Sequence, residues 1–453
     1  MKCPPCNALI SAAHENPWSW HDRRILPLMS AGQTAGYWRF AVQRVHSARF
    51  RAGTGVAGAV LLLTAACSGG EKKDDGVTVG GEGDASAPQV TINPGNGNGK
   101  AAPEAGVVVT AAGGTLQQVT LTGKGKPVEG AMTADKTGWK SRTLKPGTRY
   151  QVTAVAANPK GKTTTVNATF ATVRAANALE ITDVTPSKGE KVGVGMPIQV
   201  TFNRPVADKK AVEKALEVRS TKPATGAWYW VSPSTVIFRT KNGEYWQPNQ
   251  RVTFTAKLAG VKSGKRTYGT SDLTRRFSIG DSHVLTVSTK TKRAVAKKNG
   301  VKVKSWPISA GKGGRVVNGV DTYLTTSGVH LTMGKENPAI MTSEWMGVDP
   351  KDKKNGGYRE VIPHAVRISN SGEYVHSMAA TVWAQGRRNV SHGCVNSPPA
   401  AARWFYNWSY RGDVVVITGT KRRLDWNNGW SYYQMPWSKW VKGSALNRTV
   451  TTG

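Results

Sequence analysis

The sequence predicts a mainly β fold: two antiparallel β-sandwich domains, then a third, mostly-β domain and a Trp-rich tail. Short runs of Val, Thr and aromatic residues recur between Gly and Pro turns over most of the chain. A weak internal repeat relates residues 146–152 to residues 248–254, which share the same order of turn and strand. The clearest helix pattern covers residues 398–407, with Ser397 expected as its N-cap and Pro398 at its first position.

Residues 49–70 have the pattern of an export signal. A basic flank precedes a run of apolar or small residues that is too short to span a membrane. Residues 63–67 (LTAAC) resemble a bacterial lipobox, with Thr64 where leucine is more usual. This resemblance implies cleavage before Cys67, lipidation of its thiol and tethering to the outer face of the cell membrane. An ordinary signal peptide with an incidental cysteine is the alternative.

Residues 1–66 are therefore predicted to be an N-terminal extension and signal that does not join the fold. This segment is long for a leader, and Met29 is an alternative start. Cys3 and Cys6 have the spacing of a redox or zinc pair, but the chain contains no second such pair. We predict no metal there.

The chain is strongly basic, with 62 Lys and Arg against 28 Asp and Glu and a net charge of +34. Removal of the first 66 residues leaves a net charge of +29. Such a charge favours anionic partners. Because the export signal places the protein outside the cytoplasm, we expect anionic lipid and cell-wall polymers rather than nucleic acid, for which no RNP-type motif is present. A basic surface that only keeps the protein soluble is the alternative.

Four further segments follow the signal. Residues 67–105 are predicted to be a flexible linker, since Gly, Asp, Lys, Asn and Pro dominate them. The first sandwich is predicted over residues 106–175, where the run 144–150 (LKPGTRY) resembles the tyrosine corner of immunoglobulin-like domains. The second immunoglobulin-like sandwich covers residues 176–280, and the third domain covers residues 281–420. Neither sandwich contains a cysteine pair, so packing alone would hold each together.

The tryptophans are predicted to be structural. The C-terminal tail, residues 421–453, carries four of them and is expected to pack back on its own domain rather than bind a ligand. In the second sandwich, core packing is favoured over a carbohydrate platform for Trp228, Trp230 and Trp246.

Cys394 is the only cysteine after residue 67, and it lies in the motif SHGCVN with His376 upstream. A thiol attacks as its thiolate, and two features are expected to lower its pKa: a nearby histidine and the amino-terminal end of the helix that follows. Gly393 would let backbone amides turn toward a developing oxyanion. A buried structural cysteine and a structural histidine are the alternatives. The clustering of these residue types favours an enzyme with a cysteine nucleophile.

The motif SHGCVN, preceded by His376, resembles the active-site signature of the L,D-transpeptidases, which carry a YkuD-type catalytic domain. The resemblance covers about residues 106–446. Within the family, the chain is similar to the lipid-anchored actinobacterial members with two immunoglobulin-like domains. Beside the motif and the Trp-rich tail, it is carried by residues 226–230, 357–359, 368–372, 375–377 and 384–386. Residues 325–328 (TTSG) depart from the Thr-Pro-x-Gly that many relatives have there.

The resemblance implies a role for each motif residue. Cys394 would be the nucleophile and His376 the general base and later acid, with Ser377 helping to orient it. The oxyanion site would use the Tyr358 hydroxyl and the amides near His392, Gly393 and Cys394. The donor stem peptide would be held by residues that line the substrate path, namely Tyr358, Ser371, Gly372, Asn396 and Met341.

The implied reaction has two steps. Cys394 attacks the carbonyl of the third residue of a peptidoglycan tetrapeptide stem and expels D-Ala. A side-chain amine of another stem then takes the thioester, which gives a 3→3 cross-link. The resemblance calls for no metal or organic cofactor, and it implies that carbapenems acylate the same thiol.

Three alternatives stay open from the sequence. An L,D-carboxypeptidase of the same fold would use water as acceptor. A papain-like wall hydrolase is disfavoured because its cysteine precedes its histidine, whereas His376 comes first here. A non-catalytic wall-binding scaffold would rely on the sandwich domains and the positive charge. The diamino acid at the third stem position is left open.

Overall fold

The computed structural model describes residues 86–453, which form three β-rich domains and a C-terminal tail. The predicted mainly β fold is confirmed. The predictions for the export signal, for lipidation of Cys67 and for the Cys3 and Cys6 pair lie outside the described residues. Within residues 86–453, no helix has the length and apolar character needed to cross a membrane.

The first domain is a sandwich of two four-stranded sheets. One sheet has the spatial order Gln89–Asn93, Val108–Ala112, Gly138–Ser141 and Gly130–Met132. The other has the order Lys126–Pro127, Thr115–Gly123, Arg149–Ala157 and Thr163–Ala171. The Tyr150 hydroxyl accepts a hydrogen bond of 2.8 Å from the backbone amide of Lys145, which confirms the tyrosine corner. A 3-10 turn covers Pro103–Ala105.

The predicted linker over residues 67–105 is wrong at its C-terminal end. The strand Gln89–Asn93 pairs antiparallel with Val108–Ala112, and Ile92 and Ala101 are buried in the core of the first domain. The Gly- and Asn-rich residues that follow this strand give the segment the composition of a linker, so the sequence pattern does not predict the strand. It is held by a partner strand, which local composition does not reveal.

The second domain is a sandwich with a mainly apolar interior. Its larger sheet has the order Ile181–Thr185, Ile198–Phe202, Thr235–Thr240, Thr225–Trp230 and Val450–Thr451. The facing sheet has the order Lys191–Val192, Leu273–Ile279, Gln250–Ala256 and Leu216–Ser220. A small sheet joins Lys262–Gly264, Thr267–Gly269 and Asn177–Leu179, and a short helix covers Lys209–Lys214. The predicted core tryptophans are confirmed as buried: Trp228, Trp230 and Trp246.

The third domain contains two main sheets. The first has the order Val301–Pro307, Arg293–Lys298, His283–Ser288, Val414–Thr418 and Gly328–Leu331. The second has the order Gly334–Glu336, Ala365–Arg367, Tyr374–Ser377 and Val395–Ser397. Two hairpins are formed by Val316–Val317 with Val320–Asp321 and by Ala339–Thr342 with Arg359–Ile362. Short 3-10 turns cover Ser343–Met346, Lys353–Asn355 and Ala379–Thr381.

The main helix of this domain is Pro399–Trp408, and it begins one residue later than predicted. Pro398 takes the N-cap position, and no side chain caps the helix. The predicted cap, Ser397, instead lies in a strand, where its hydroxyl accepts a hydrogen bond of 3.1 Å from the Trp306 indole. The cap prediction is therefore wrong, because the hydroxyl is used by a tertiary partner.

The C-terminal tail packs on the second sandwich domain as well as on the catalytic domain, so the prediction that it packs on its own domain is incomplete. Its 3-10 turn Tyr432–Gln434 and helix Trp437–Lys442 cover one face of that sandwich. The Trp440 indole is fully buried and donates to the Ala227 carbonyl at 3.0 Å. The last strand, Val450–Thr451, then pairs with Thr225–Trp230.

Candidate active site

Hydrogen bonds within the loop that carries Cys394, and one from another segment of the chain, hold this loop in place. The Ser391 hydroxyl donates to the Cys394 carbonyl at 2.6 Å and accepts from the Gly393 amide at 3.2 Å. From another segment, the Thr325 hydroxyl donates to the Gly393 carbonyl at 2.7 Å. Gly393 has a φ of +137°, a backbone conformation that residues with a side chain rarely adopt. These contacts fix the position of Cys394 before any substrate binds.

Parallel strand pairing brings His376 next to this loop. The strand Tyr374–Ser377 pairs with Val395–Ser397, and His376 lies directly opposite Asn396, two residues after the thiol. The His376 Nδ1 atom lies 2.9 Å from the Ser377 carbonyl. A carbonyl can only accept, so Nδ1 carries the hydrogen and Nε2 keeps its lone pair. Ser377 therefore orients His376 through its backbone.

Burial sets the protonation of both groups. Burial lowers the pKa of His376 to about 4. Cys394 keeps part of its surface open, yet burial raises the pKa of its thiol to about 12, and the nearby Glu373 and Glu360 carboxylates contribute to the rise. The Cys394 Sγ atom donates to the Gly372 carbonyl at 3.5 Å. At neutral pH the resting pair is thus a thiol and a neutral imidazole.

The expected lowering of the Cys394 pKa is therefore wrong. The strand Val395–Ser397 separates Cys394 from the helix Pro399–Trp408, and a helix dipole acts mainly within the first turn. Burial dominates because Cys394 packs against an apolar cluster that includes Ala365 and Tyr374.

A cavity of about 440 Å³ opens in front of Cys394. Seven of the predicted site residues line it: Met341, Tyr358, Ser371, Gly372, His392, Gly393 and Cys394. Three others are buried outside its lining, namely His376, Ser377 and Asn396. The Asn396 side-chain amide donates to the Thr381 hydroxyl at 3.1 Å, so a role in holding the donor stem stays a prediction.

His392 lines the same cavity as Cys394. Its ring lies between two tyrosines, with ring centroids 4.5 Å from Tyr323 and 5.3 Å from Tyr358. Burial lowers the pKa of His392, and the positive charges of Lys312 and Arg315 lower it further. The stacked His392 ring helps to shape the cavity that Tyr358 and Cys394 also line.

Sequence reasoning missed a buried carboxylate in the cavity lining. Glu373 accepts hydrogen bonds of 2.7 Å from both the amide and the hydroxyl of Thr326, and it lies 3.6 Å from His330. Burial acts to raise the pKa of Glu373, but its contacts with His330 and Thr326 lower it overall. The partners are more than 40 positions apart, so no local pattern signals this network.

Three other polar residues were also missed. The cavity lining includes Arg367 and Arg422, and the tail residue Asn428 bonds to Ser371. Only the folded chain brings the tail to the cavity. Among residues 86–453, no group of three or more His, Cys, Asp and Glu side chains is arranged to hold a metal ion.

The fold and site correspond to known domain families. Residues 282–417 match the family model of the YkuD L,D-transpeptidase catalytic domain, and residues 98–262 match that of a bacterial Ig domain. A full-length relative extends these two matches. L,D-transpeptidase 2 of Mycobacterium tuberculosis (strain CDC 1551 / Oshkosh) is 34% identical over 397 residues, which cover 85% of this chain and 93% of the relative. The chain therefore belongs to the L,D-transpeptidase family and is a transferase.

Other members of the family are also similar. L,D-transpeptidase 5 of Mycobacterium tuberculosis (strain ATCC 25618 / H37Rv) is 29% identical over 80% of this chain and 78% of the relative. The solved structure of the LD transpeptidase LdtMt1 in complex with imipenem is 31% identical, covers 52% of this chain and 98% of that chain, and has a TM-score of 0.44.

Proposed function

We propose that this protein forms 3→3 peptidoglycan cross-links through a thioester on Cys394. The family membership supports a transpeptidase. The observation that carries the proposal is the position of a thiol at the base of a 440 Å³ cavity, beside a strand whose His376 is held with Nε2 unprotonated. A cysteine nucleophile needs a base within reach that is itself oriented by a third group.

In the first step, the Cys394 sulfur attacks the carbonyl carbon of the third residue of a tetrapeptide stem. His376 Nε2 takes the thiol proton as the carbon–sulfur bond forms. The bond from that carbon to the D-Ala nitrogen then breaks, and His376 returns the proton to the leaving amine. Because thiol and imidazole both start neutral, proton transfer accompanies attack instead of preceding it.

The tetrahedral intermediate needs donors for its oxyanion. The Gly393 amide already donates to the Ser391 hydroxyl. We therefore assign the oxyanion site to the Cys394 amide together with the Tyr358 hydroxyl, which lines the same cavity. This narrows the set of amides that the family resemblance implies.

In the second step, a side-chain amine of another stem attacks the thioester. His376 accepts a proton from the amine, the new amide bond forms, and Cys394 leaves as a thiol. Water in place of the amine would give an L,D-carboxypeptidase. The acceptor stem would enter the same cavity, whose lining includes Tyr358 and Met341.

We also propose an extracytoplasmic place for this chemistry. The export signal and the lipobox at Cys67 support a lipid anchor on the outer face of the membrane. Peptidoglycan lies on that side of the membrane. The net charge of +29 after the signal favours contact with anionic cell-wall polymers.

Intact mass after carbapenem treatment and product analysis with purified stem peptides test the proposal. The wild type is expected to gain one covalent adduct and to give a cross-linked dimer, while Cys394→Ala does neither. Release of D-Ala without dimer would indicate a carboxypeptidase and contradict the transferase. Cross-linking retained by Cys394→Ala would support a non-catalytic scaffold instead.

A further inference from the structure

The cavity contains two guanidinium groups that the proposed reaction steps do not use. Arg367 belongs to the strand Ala365–Arg367, and Arg422 belongs to the tail, 55 positions later. Both side chains are half-buried and line the same cavity as Cys394. A partly desolvated cation in a substrate cavity is stabilised when an anionic partner offsets its loss of water.

Arg422 is fixed beside the nucleophile loop. Its Nη1 atom donates to the carbonyls of Thr322 and Leu324, both at 2.9 Å. The Thr322 carbonyl lies 3.9 Å from the position that a Cβ on Gly393 would take. Two backbone contacts thus orient the guanidinium close to Cys394. Among residues 86–453, its Nε and Nη2 atoms bond to no protein acceptor.

Arg367 is placed by the sheet that carries His376. It pairs in register with Tyr374, and its guanidinium lies 5.4 Å from the centroid of the Tyr374 ring. Tyr374 packs against Cys394. This arrangement brings a second positive charge to the cavity from a separate element of the fold.

No carboxylate contacts either arginine directly in residues 86–453, although Asp321 interacts electrostatically with Arg422 at longer range. Within the described part of the chain, no carboxylate forms an ion pair with Arg367 or Arg422. Glu373 is the one carboxylate in the lining of this cavity, and Thr326 and His330 already hold it. The planar Nε and Nη2 edge of a guanidinium matches the two oxygens of a carboxylate.

We propose that Arg422 and Arg367 form a carboxylate-binding subsite for the donor stem, an inference that rests on the proposed function. Two groups of a donor stem carry this chemistry. One is the terminal carboxylate of the leaving D-Ala, and the other is a side-chain carboxylate on the third residue when that residue is a diamino diacid. The subsite selects a donor that retains at least one of these charges over its amidated counterpart.

The test compares acylation kcat/KM for three donor tetrapeptides: one with both carboxylates, one amidated at its C-terminus, and one amidated at the third side chain. When the carboxylate that binds the arginines is amidated, we expect the wild-type kcat/KM to fall by roughly 10- to 100-fold. This is the range for the loss of a charge-assisted hydrogen bond. The position of the sensitive amide identifies the carboxylate.

Arg422→Gln should slow the carboxylate donor by a larger factor than the sensitive amidated donor, so that the preference between the two donors disappears. Arg367→Gln should weaken the same preference. Arg422→Lys keeps a positive charge and should retain part of it. Arg423→Gln is the matched control, since Arg423 is exposed and does not line the cavity.

Two results would overturn the subsite while leaving the proposed function intact. One is equal wild-type rates on all three donors. The other is an Arg422→Gln variant that acylates every donor more slowly by the same factor, although thermal denaturation shows that it is folded. That result would indicate that the contacts of Arg422 with the two carbonyls have a structural role. A wild type that acylates none of the donors, and gains no carbapenem adduct, would instead contradict the proposed function itself.

Discussion

The surroundings of the proposed nucleophile Cys394 and the proposed base His376 keep both side chains neutral. Burial holds the pKa of His376 at about 4 and that of the Cys394 thiol at about 12. A thiolate and imidazolium pair would carry two charges in an apolar setting, which is costly before substrate arrives. The resting neutral pair avoids this cost, and the thiol keeps its proton until a carbonyl is positioned for attack.

The pH dependence of acylation follows from the pKa of His376. His376 must be neutral to accept the proton, and its lowered pKa keeps it neutral as the pH falls toward 4. We expect acylation of a donor stem peptide by the wild type to be flat between about pH 6 and pH 8 and to fall by half only near pH 4. Stopped-flow rates across this range check the prediction. A midpoint near the ordinary histidine value of about 6.5 would contradict it.

Gly393→Ala tests the backbone of the nucleophile loop. No heavy atom lies closer than 3.9 Å to a Cβ at this position, so the cost arises from the φ of +137° and not from a clash. We expect a loss of about 1–3 kcal/mol in the free energy of unfolding and acylation at least roughly tenfold slower, because Cys394 moves as the backbone relaxes.

Gly300→Ala is the control for that variant. Gly300 has a φ of +85° with open space around it, and it lies in a hairpin outside the cavity lining. Urea denaturation should show a loss of stability for both variants, whereas carbapenem acylation should slow only for Gly393→Ala. Wild-type acylation by a folded Gly393→Ala protein would show that the loop tolerates a side chain.

At the scale of elements, two hydrogen bonds join the tail to the loop that carries Ser371. The Asn428 side chain accepts from the Ser371 amide at 3.0 Å and donates to the Ser371 hydroxyl at 2.9 Å. Ser371 and Gly372 line the cavity, while the tail around Asn428 packs on the second sandwich. The tail therefore fixes one wall of the cavity that we propose as the donor site, and it also covers the sandwich.

Removal of this contact should weaken donor binding more than chemistry. We expect Asn428→Ala to raise the KM for a donor stem roughly tenfold with a smaller change in kcat, since two hydrogen bonds to the loop are lost. Asn427→Ala is the matched control, because Asn427 is exposed. A fall in kcat at constant KM would indicate that Asn428 acts on the nucleophile instead.

At the scale of the whole molecule, the tail connects the catalytic domain to the second sandwich and packs on that sandwich through a buried aromatic cluster. Arg239 is fully buried, with its guanidinium over the rings of Tyr433, Trp437 and Trp440. It also donates to the Met435 carbonyl at 2.9 Å. Burial lowers the pKa of Arg239 to about 10, so its charge persists at neutral pH. Backbone acceptors and aromatic faces take the place of a carboxylate.

Trp440→Ala should loosen this junction. The indole is fully buried, stacks on Tyr229 at 4.7 Å and donates to Ala227, so truncation should cost about 3–5 kcal/mol. We expect calorimetry to resolve two transitions in place of one as the domains uncouple. Trp383→Ala is the control, because Trp383 is 58% exposed and should change the stability little. A single transition at the wild-type temperature for Trp440→Ala would contradict this role of the tail.

The predictions that held depend on local patterns. The tyrosine corner around Tyr150 and the buried Trp228 are signalled by short runs and by side-chain type. The predictions that failed depend on partners far away in the chain. Ser397 bonds to Trp306 rather than capping a helix, and the strand Gln89–Asn93 exists because Val108–Ala112 pairs with it.

The sequence by itself determined the mainly β fold class, the family and the candidate pair of Cys394 and His376. Motif residues lie close together in the chain, and strand periodicity is a local property. The tertiary structure alone decided the protonation of that pair, the packing of the tail on the second sandwich and the entry of Arg422 into the catalytic cavity. These depend on burial and on contacts between segments far apart in the chain, which local patterns do not encode.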